Sequence, residues 1–146
     1  MSKKTIREVR AFNRFYTDMI GLLDRHLLHS VYSLSEARVL FEIAQRSGCQ
    51  ASDIMSAMQI DKSYLSRILK KFEKEKIIAR ERSREDARAV VLCLTKKGRQ
   101  EFELLNEASD EQIRGLLSPL TERQCEDLVG HMKSIAKILA SPKAGD

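Results

Sequence analysis

Apolar residues in this chain recur at helical spacing through most of its length and change to strand-like runs only once. Between Thr5 and Leu28, Ile6, Val9, Phe12, Tyr16, Met19, Leu23 and Leu27 step by three or four, which predicts one long amphipathic helix. Ser33-Leu34-Ser35-Glu36 offers an N-cap and an acidic first turn to a second helix carrying Val39, Leu40, Ile43 and Ala44, and Gly48 ends it. Ala51-Ser52-Asp53 opens a short third helix with Ile54, Ala57 and Met58. Gln59-Ile60-Asp61 is a tight connection, and Asp61 is placed to cap a fourth helix. In that helix Leu65, Ile68, Leu69 and Phe72 fall at i, i+3, i+4 and i+7, one apolar face. Two helices joined this closely make a helix-turn-helix.

The period then changes. Ile77 to Arg82 and Ala89 to Leu94 read as strands rich in β-branched residues, on either side of a charged tip, Ser83-Arg84-Glu85-Asp86-Ala87-Arg88. Thr95 caps a fifth helix bearing Phe102, Leu105 and Ile113, which decays near Gly115. After a break at Pro119-Leu120, Thr121 and Gln124 fit a capping box. The last helix carries Cys125, Leu128, Val129, Met132, Ile135, Ala136 and Leu139, and residues 141–146 read as a frayed tail.

The predicted class is mainly α with a small β-hairpin wing (α+β). It is a single domain over residues 1–146, with a winged helix-turn-helix over 34–98 and dimerisation helices over 5–28 and 99–140. The apolar stripes of the terminal helices either close a monomeric core or pair with a second copy. The second reading is preferred, because a two-fold dimer puts two reading helices on successive turns of a duplex.

Charge sharpens this picture. A net charge of +5 over 146 residues says little by itself. The clustering says more: Arg67, Lys70, Lys71, Lys74, Lys76, Arg80, Arg82, Arg84 and Arg88 fall within one quarter of the chain. Ser63, Arg67, Lys70 and Lys74 share the face of the fourth helix opposite its apolar stripe. A cationic helix backed by an arginine-tipped hairpin suits double-stranded DNA, the helix entering one groove and the tip reaching the next groove or the backbone.

Other classes find less support. The N-terminus lacks the apolar stretch of a signal peptide, and no apolar run approaches the roughly 20 residues of a membrane span. Three cysteines, Cys49, Cys93 and Cys125, are odd in number and far apart, which points to neither a disulfide framework nor a zinc site and fits a reducing cytoplasm. Cys49 follows the Gly48 turn, a place where exposure is expected. Cys93 alternates onto one strand face, Cys125 sits on the last apolar stripe, and inert thiols are the default. No nucleophile, zincin or phosphate-loop motif appears, so neither an enzyme nor a cofactor is expected. His26 and His29 form H-x-x-H at the end of the first helix. They could share a face and bind a metal, but nothing nearby completes a ligand set; otherwise they line a pocket or sit at the surface.

Several segments together carry a family resemblance. They are Leu34-Ser35-Glu36-Ala37-Arg38-Val39-Leu40, Ala51-Ser52-Asp53-Ile54, Asp61-Lys62-Ser63-Tyr64-Leu65-Ser66-Arg67, Glu81-Arg82-Ser83-Arg84-Glu85-Asp86-Ala87-Arg88 and Leu94-Thr95-Lys96-Lys97-Gly98. In these the chain resembles the multiple-antibiotic-resistance regulator (MarR) family of winged-helix proteins. The D-x-R of the tip followed by L-T-x-x-G is the most specific part. Similar segments also open longer proteins that continue into an acetyltransferase; with the chain stopping after the last helix, that arrangement is not expected. Gln59 stands where the family commonly has glycine in the turn, so a turn that still needs φ > 0 would carry strain there, and Lys76 stands where a glycine often ends the reading helix. The peroxide-sensing relatives carry a reactive cysteine in the first helix, and this chain has none there.

The resemblance implies a homodimeric transcriptional regulator on a pseudo-palindromic operator, released by a small phenolic or lipophilic effector or an oxidant. Ser63, Ser66, Arg67 and Lys70 would face the groove. Arg67 contacts a guanine edge or only phosphate, and Tyr64 a thymine methyl, a phosphate or the helix flank. Lys62 and Lys74 would act electrostatically. Arg88 would enter the minor groove with Arg84 assisting, and Arg82 joins the same set. Asp86 would hold the tip by accepting hydrogen bonds or pairing with an arginine. Ser35 and Ser52, at helix starts, would meet phosphates or simply cap. Tyr16, His26 and Phe102 are candidates for an effector cleft where the first and fifth helices meet the reading domain. Rival readings are a protein–protein module that keeps the winged helix as scaffold, and a small enzyme using the two histidines.

Overall fold

A computed structural model describes residues 1–27 and 31–140, with the backbone alone over 23–27. Six helices and one hairpin follow in the order α1 (Lys3–Leu27), α2 (Leu34–Gln45), α3 (Ala51–Met58), α4 (Lys62–Lys74), β1 (Ile78–Arg82), β2 (Val90–Leu94), α5 (Lys96–Leu117) and α6 (Glu122–Ala140). This is the predicted winged helix-turn-helix, with helix ends shifted by a residue or two. His29 and the tail over 141–146 lie outside the described residues, as does the side chain of His26.

The chain divides into two compact units, Met1–Ser109 and Asp110–Asp146. The core of the first is built by α2, α3, α4, the wing and the start of α5. Val39, Leu40 and Ile43 of α2 meet Ile54 of α3, Leu65, Ile68, Leu69 and Phe72 of α4, and Ile77, Ile78 and Leu92 around the wing. The i, i+3, i+4, i+7 stripe of α4 is buried throughout. Each such side chain contributes roughly 1.5–3 kcal/mol on burial, so this stripe fixes which face of α4 is left to solvent.

Caps set the helix starts. Ser33 and Glu36 form a reciprocal box at α2, with Glu36 N–H donating to Ser33 Oγ (3.2 Å) and Ser33 N–H to Glu36 Oε1 (3.2 Å). Thr121 and Gln124 do the same for α6. Glu42 is buried on α2 and is bracketed by Arg38 (3.5 Å) and Arg46 (3.4 Å), one turn to either side.

The wing is antiparallel, with Ile78 opposite Leu94 and Arg82 opposite Val90. Cys49 adds a third, single-residue rung: its carbonyl accepts Leu92 N–H at 2.7 Å. The expected exposure of Cys49 is therefore wrong. Gly48, at φ 72°, turns the chain inward, so the thiol is fully buried beside the sheet. Burial and, secondarily, the Asp53 carboxylate raise its pKa. Gly48 also does not end α2 directly; α2 stops at Gln45 and Gly48 shapes the following turn.

Outside this core, α1 exposes Ile6, Val9, Phe12, Phe15 and Tyr16, and α6 buries none of its described residues. The predicted stripes on both helices thus stand open in the single chain. No described helix is long and apolar enough to cross a membrane.

Candidate nucleic-acid interface

Two short devices aim α4. Gln59 adopts a left-handed conformation (φ 50°, ψ 39°) that ends α3 and reverses the chain within one residue. Asp61 then caps α4, its carboxylate accepting N–H from Ser63 (3.0 Å) and Tyr64 (3.2 Å). Lys76, also left-handed at φ 59°, releases the chain into β1. Both positions where the resemblance led to an expected glycine do take φ > 0.

The solvent face of α4 presents Lys62, Ser63, Tyr64, Arg67, Lys70 and Lys74, all exposed, with Ser66 half-buried beside them. The Arg67 guanidinium lies 5.8 Å from the Tyr64 ring centroid, a cation–π distance across one turn. The i, i+3 spacing of Tyr64 and Arg67 is the one signal of this contact in the sequence. Among the described residues Arg67, Lys70 and Lys74 have no acidic partner within ion-pair distance.

Two members of the basic cluster are diverted instead. Lys71 Nζ lies 2.6 Å from Glu36 Oε2, tying α4 to α2. Burial alone would raise Glu36, but the Lys71 and Ser33 hydrogen bonds outweigh it and its pKa is lowered, while that of Lys71 is raised. Arg80 on β1 pairs with Glu73 of α4.

The wing tip is ordered by its own short polar residues. Ser83 N–H donates to Ala89 O (2.9 Å) and Ala89 N–H to Asp86 O (3.0 Å), closing the loop. Ser83 Oγ accepts N–H from Glu85 (3.2 Å) and Asp86 (3.4 Å). Asp86 Oδ1 accepts Arg88 N–H at 2.9 Å, a local turn that fixes the backbone carrying the Arg88 side chain. Arg82, Arg84 and Arg88 are exposed and project from this frame.

Ser35 and Ser52 occupy the second positions of α2 and α3 rather than their caps. Ser33 caps α2, and Gln50 N–H donates to Asp53 Oδ2 (2.8 Å) at the start of α3. Of the effector candidates, Tyr16 is partly exposed on α1 and stacks on Phe12 at 5.8 Å, whereas Phe102 packs against the core. An open concavity of about 690 Å³ lies elsewhere, beside the wing, and neither residue lines it.

Residues 32–90 match the MarR family model. A curated relative, the HTH-type transcriptional regulator BilQ of Clostridium symbiosum (strain WAL-14163), is 28% identical over 95 residues, 65% of this chain and 66% of that protein. The match thus spans just under two thirds of that relative's length. The structure of a MarR family protein from Bacillus stearothermophilus superposes with a TM-score of 0.81 at 14% identity, covering 97% of this chain and 99% of that one. Wild-type MarR (apo form) from E. coli gives 0.73 at 19% identity, covering 86% and 94%. At such identities the structural likeness establishes the fold alone, a winged helix-turn-helix. The match to the MarR family model thus takes in α2, α3, α4, β1 and the wing tip, less than half of the chain.

Proposed function

We propose that this protein is a sequence-specific DNA-binding repressor that works in the cytoplasm as a homodimer on a pseudo-palindromic operator. The observation that carries this reading is the pairing, on one core, of an uncompensated cationic face on α4 with an arginine-bearing tip held by its own hydrogen bonds. Arg67, steadied over Tyr64, and Ser63, Ser66 and Lys70 read or contact the major groove. Arg88 reaches the minor groove from the tip, and Arg82, Arg84 and Lys62 add phosphate contacts. Ser35 and Ser52 offer first-turn N–H or hydroxyl groups to the backbone. Residues 34–98 form the reading part, and 5–28 with 99–140 the dimerisation part. The open apolar stripes of α1 and α6 support that assignment, since large exposed apolar patches are rare on monomers. An effector then acts by binding one spacing of the two reading helices better than another.

An electrophoretic mobility shift with the DNA upstream of the gene, at two salt concentrations, tests this. Specific binding should weaken steeply with salt, by roughly a thousandfold or more between 50 and 200 mM if about six phosphates are contacted. Arg88→Ala should weaken it strongly. A chain that runs as a monomer and ignores duplex DNA at low salt removes the proposal and leaves the protein–protein reading.

A further inference from the structure

The concavity of about 690 Å³ beside the wing has a chemistry of its own. Its floor is apolar, from Ile43, Val91 and Leu92, while arginines from three separate elements reach its rim. Arg46 follows the end of α2, Arg82 and Arg84 come from the wing, and Arg99 from the first turn of α5. Two carboxylates, Glu81 and Glu85, line the same space. Arg46 is already engaged by Glu42 at 3.4 Å. Arg82, Arg84 and Arg99 have no acidic partner within ion-pair distance among the described residues. Gathering guanidinium groups around one space is unfavourable unless a counter-charge enters it.

We propose that this concavity binds a small organic or phosphorylated dianion, a metabolite-sized molecule bearing two carboxylate or phosphate groups. Guanidinium forks match both oxyanions through paired N–H donors, which ammonium groups do not. The volume lies within the range of small-molecule sites. Guanidinium forks on separate elements, Arg84 on the wing and Arg99 on α5, suit a ligand with two oxyanion groups better than one with a single such group, and the apolar floor receives the carbon or ester body between its charged ends. Cys93, half-buried, also lines the space, and Glu81 beside it keeps that wall acidic, which confines the anionic groups to the arginine rim. The proposal does not depend on the DNA reading, because the ligand is tested on DNA-free protein.

Isothermal titration of the full chain with succinate, with inorganic pyrophosphate and with acetate, at about 50 mM salt, tests the site. The expected result is saturable binding of one dianion per chain by succinate or pyrophosphate, with acetate at least about tenfold weaker. The stronger of the two names the oxyanion class. Arg99→Gln, and separately Arg84→Gln, should each weaken that binding about tenfold or more, with circular dichroism unchanged. Arg67→Gln, on the solvent face of α4, should leave it within about twofold. No saturable binding by either dianion, or binding as tight as the parent's in both rim variants, overturns the proposal. So does a larger loss from Arg67→Gln than from Arg99→Gln, which would place the anion on the α4 face instead.

Discussion

A methyl group placed on Gly98 would stand 1.9 Å from the carbonyl oxygen of Ile77. That approach is the purpose of the Leu94-Thr95-Lys96-Lys97-Gly98 segment. Thr95 N–H donates to Ile77 O (3.0 Å), and its hydroxyl donates to Lys76 O (2.6 Å) while accepting Gly98 N–H (3.0 Å). The start of α5 is thereby clamped onto the entrance of β1, with backbone against backbone. Gly98→Ala should destabilise the fold by about 3 kcal/mol or more, since the obstacle is backbone and cannot rotate away. Gly115→Ala, in the same helix with open space around it, should stabilise by about 0.5–1 kcal/mol. Urea unfolding midpoints of the two variants, moving in opposite directions, check both statements.

Gln59 holds a left-handed conformation that L-residues disfavour by roughly 1–2 kcal/mol. Glycine removes that penalty but has more freedom to lose on folding. Gln59→Gly should therefore gain only about 0.5–1 kcal/mol. Thermal unfolding should show a rise of a few degrees; an unchanged or lowered midpoint would mean that the Gln59 side chain contributes contacts of its own.

The same turn shows how much the sequence discloses. Asp61, Thr95 and the Thr121–Gln124 box were legible as caps because short polar side chains next to an apolar stripe have few other uses. The α4 stripe was legible from its period, and the solvent face followed from it. Cys49 was misjudged because its burial depends on a rung to Leu92, 43 positions away (92 − 49), which no local pattern records. Lys71 and Arg80 looked like part of a DNA-facing cluster for the same reason. Their partners, Glu36 and Glu73, are found only when α2, α4 and β1 are packed together. The rim of arginines beside the wing comes from three elements and has no signature along the chain.

The Glu36–Lys71 pair makes stability depend on pH in a definable direction. The folded pKa of Glu36 is lowered beneath its ordinary value of 4.5, so its contribution is complete above that value and is lost as pH falls through the folded pKa. The folded pKa of Lys71 is raised above 10.5, so its contribution holds below that value and fades as pH rises through the folded pKa. The pair should thus be fully effective across neutral pH. Glu36→Gln keeps an acceptor for Ser33 N–H but removes the charge. Its urea midpoint should fall at pH 7 and approach that of the parent as pH falls through the folded pKa of Glu36. Parallel pH profiles for the two proteins would rule out a contribution from the ion pair.

Asp86 offers the sharpest test of the tip. Its carboxylate accepts Arg88 N–H, so it orders the backbone from which the arginine projects, yet it is itself exposed and carries the wrong charge for DNA. If its role is positional, Asp86→Ala should weaken operator binding about five- to tenfold despite making the chain more cationic. Stability should change by less than about 0.5 kcal/mol, because the loop is exposed. Asp86→Asn keeps the accepting oxygen and should recover most of the affinity. Arg88→Ala should lower the slope of log K against log salt by about one, as expected for one lost phosphate-like contact, whereas Asp86→Ala should not lower it. In Arg88→Ala the second change, Asp86→Ala, should cost little more, since there is no longer an arginine to position. Mobility shifts of the four proteins on one operator decide the matter. Tighter binding by Asp86→Ala would show that simple charge outweighs the geometry of the turn.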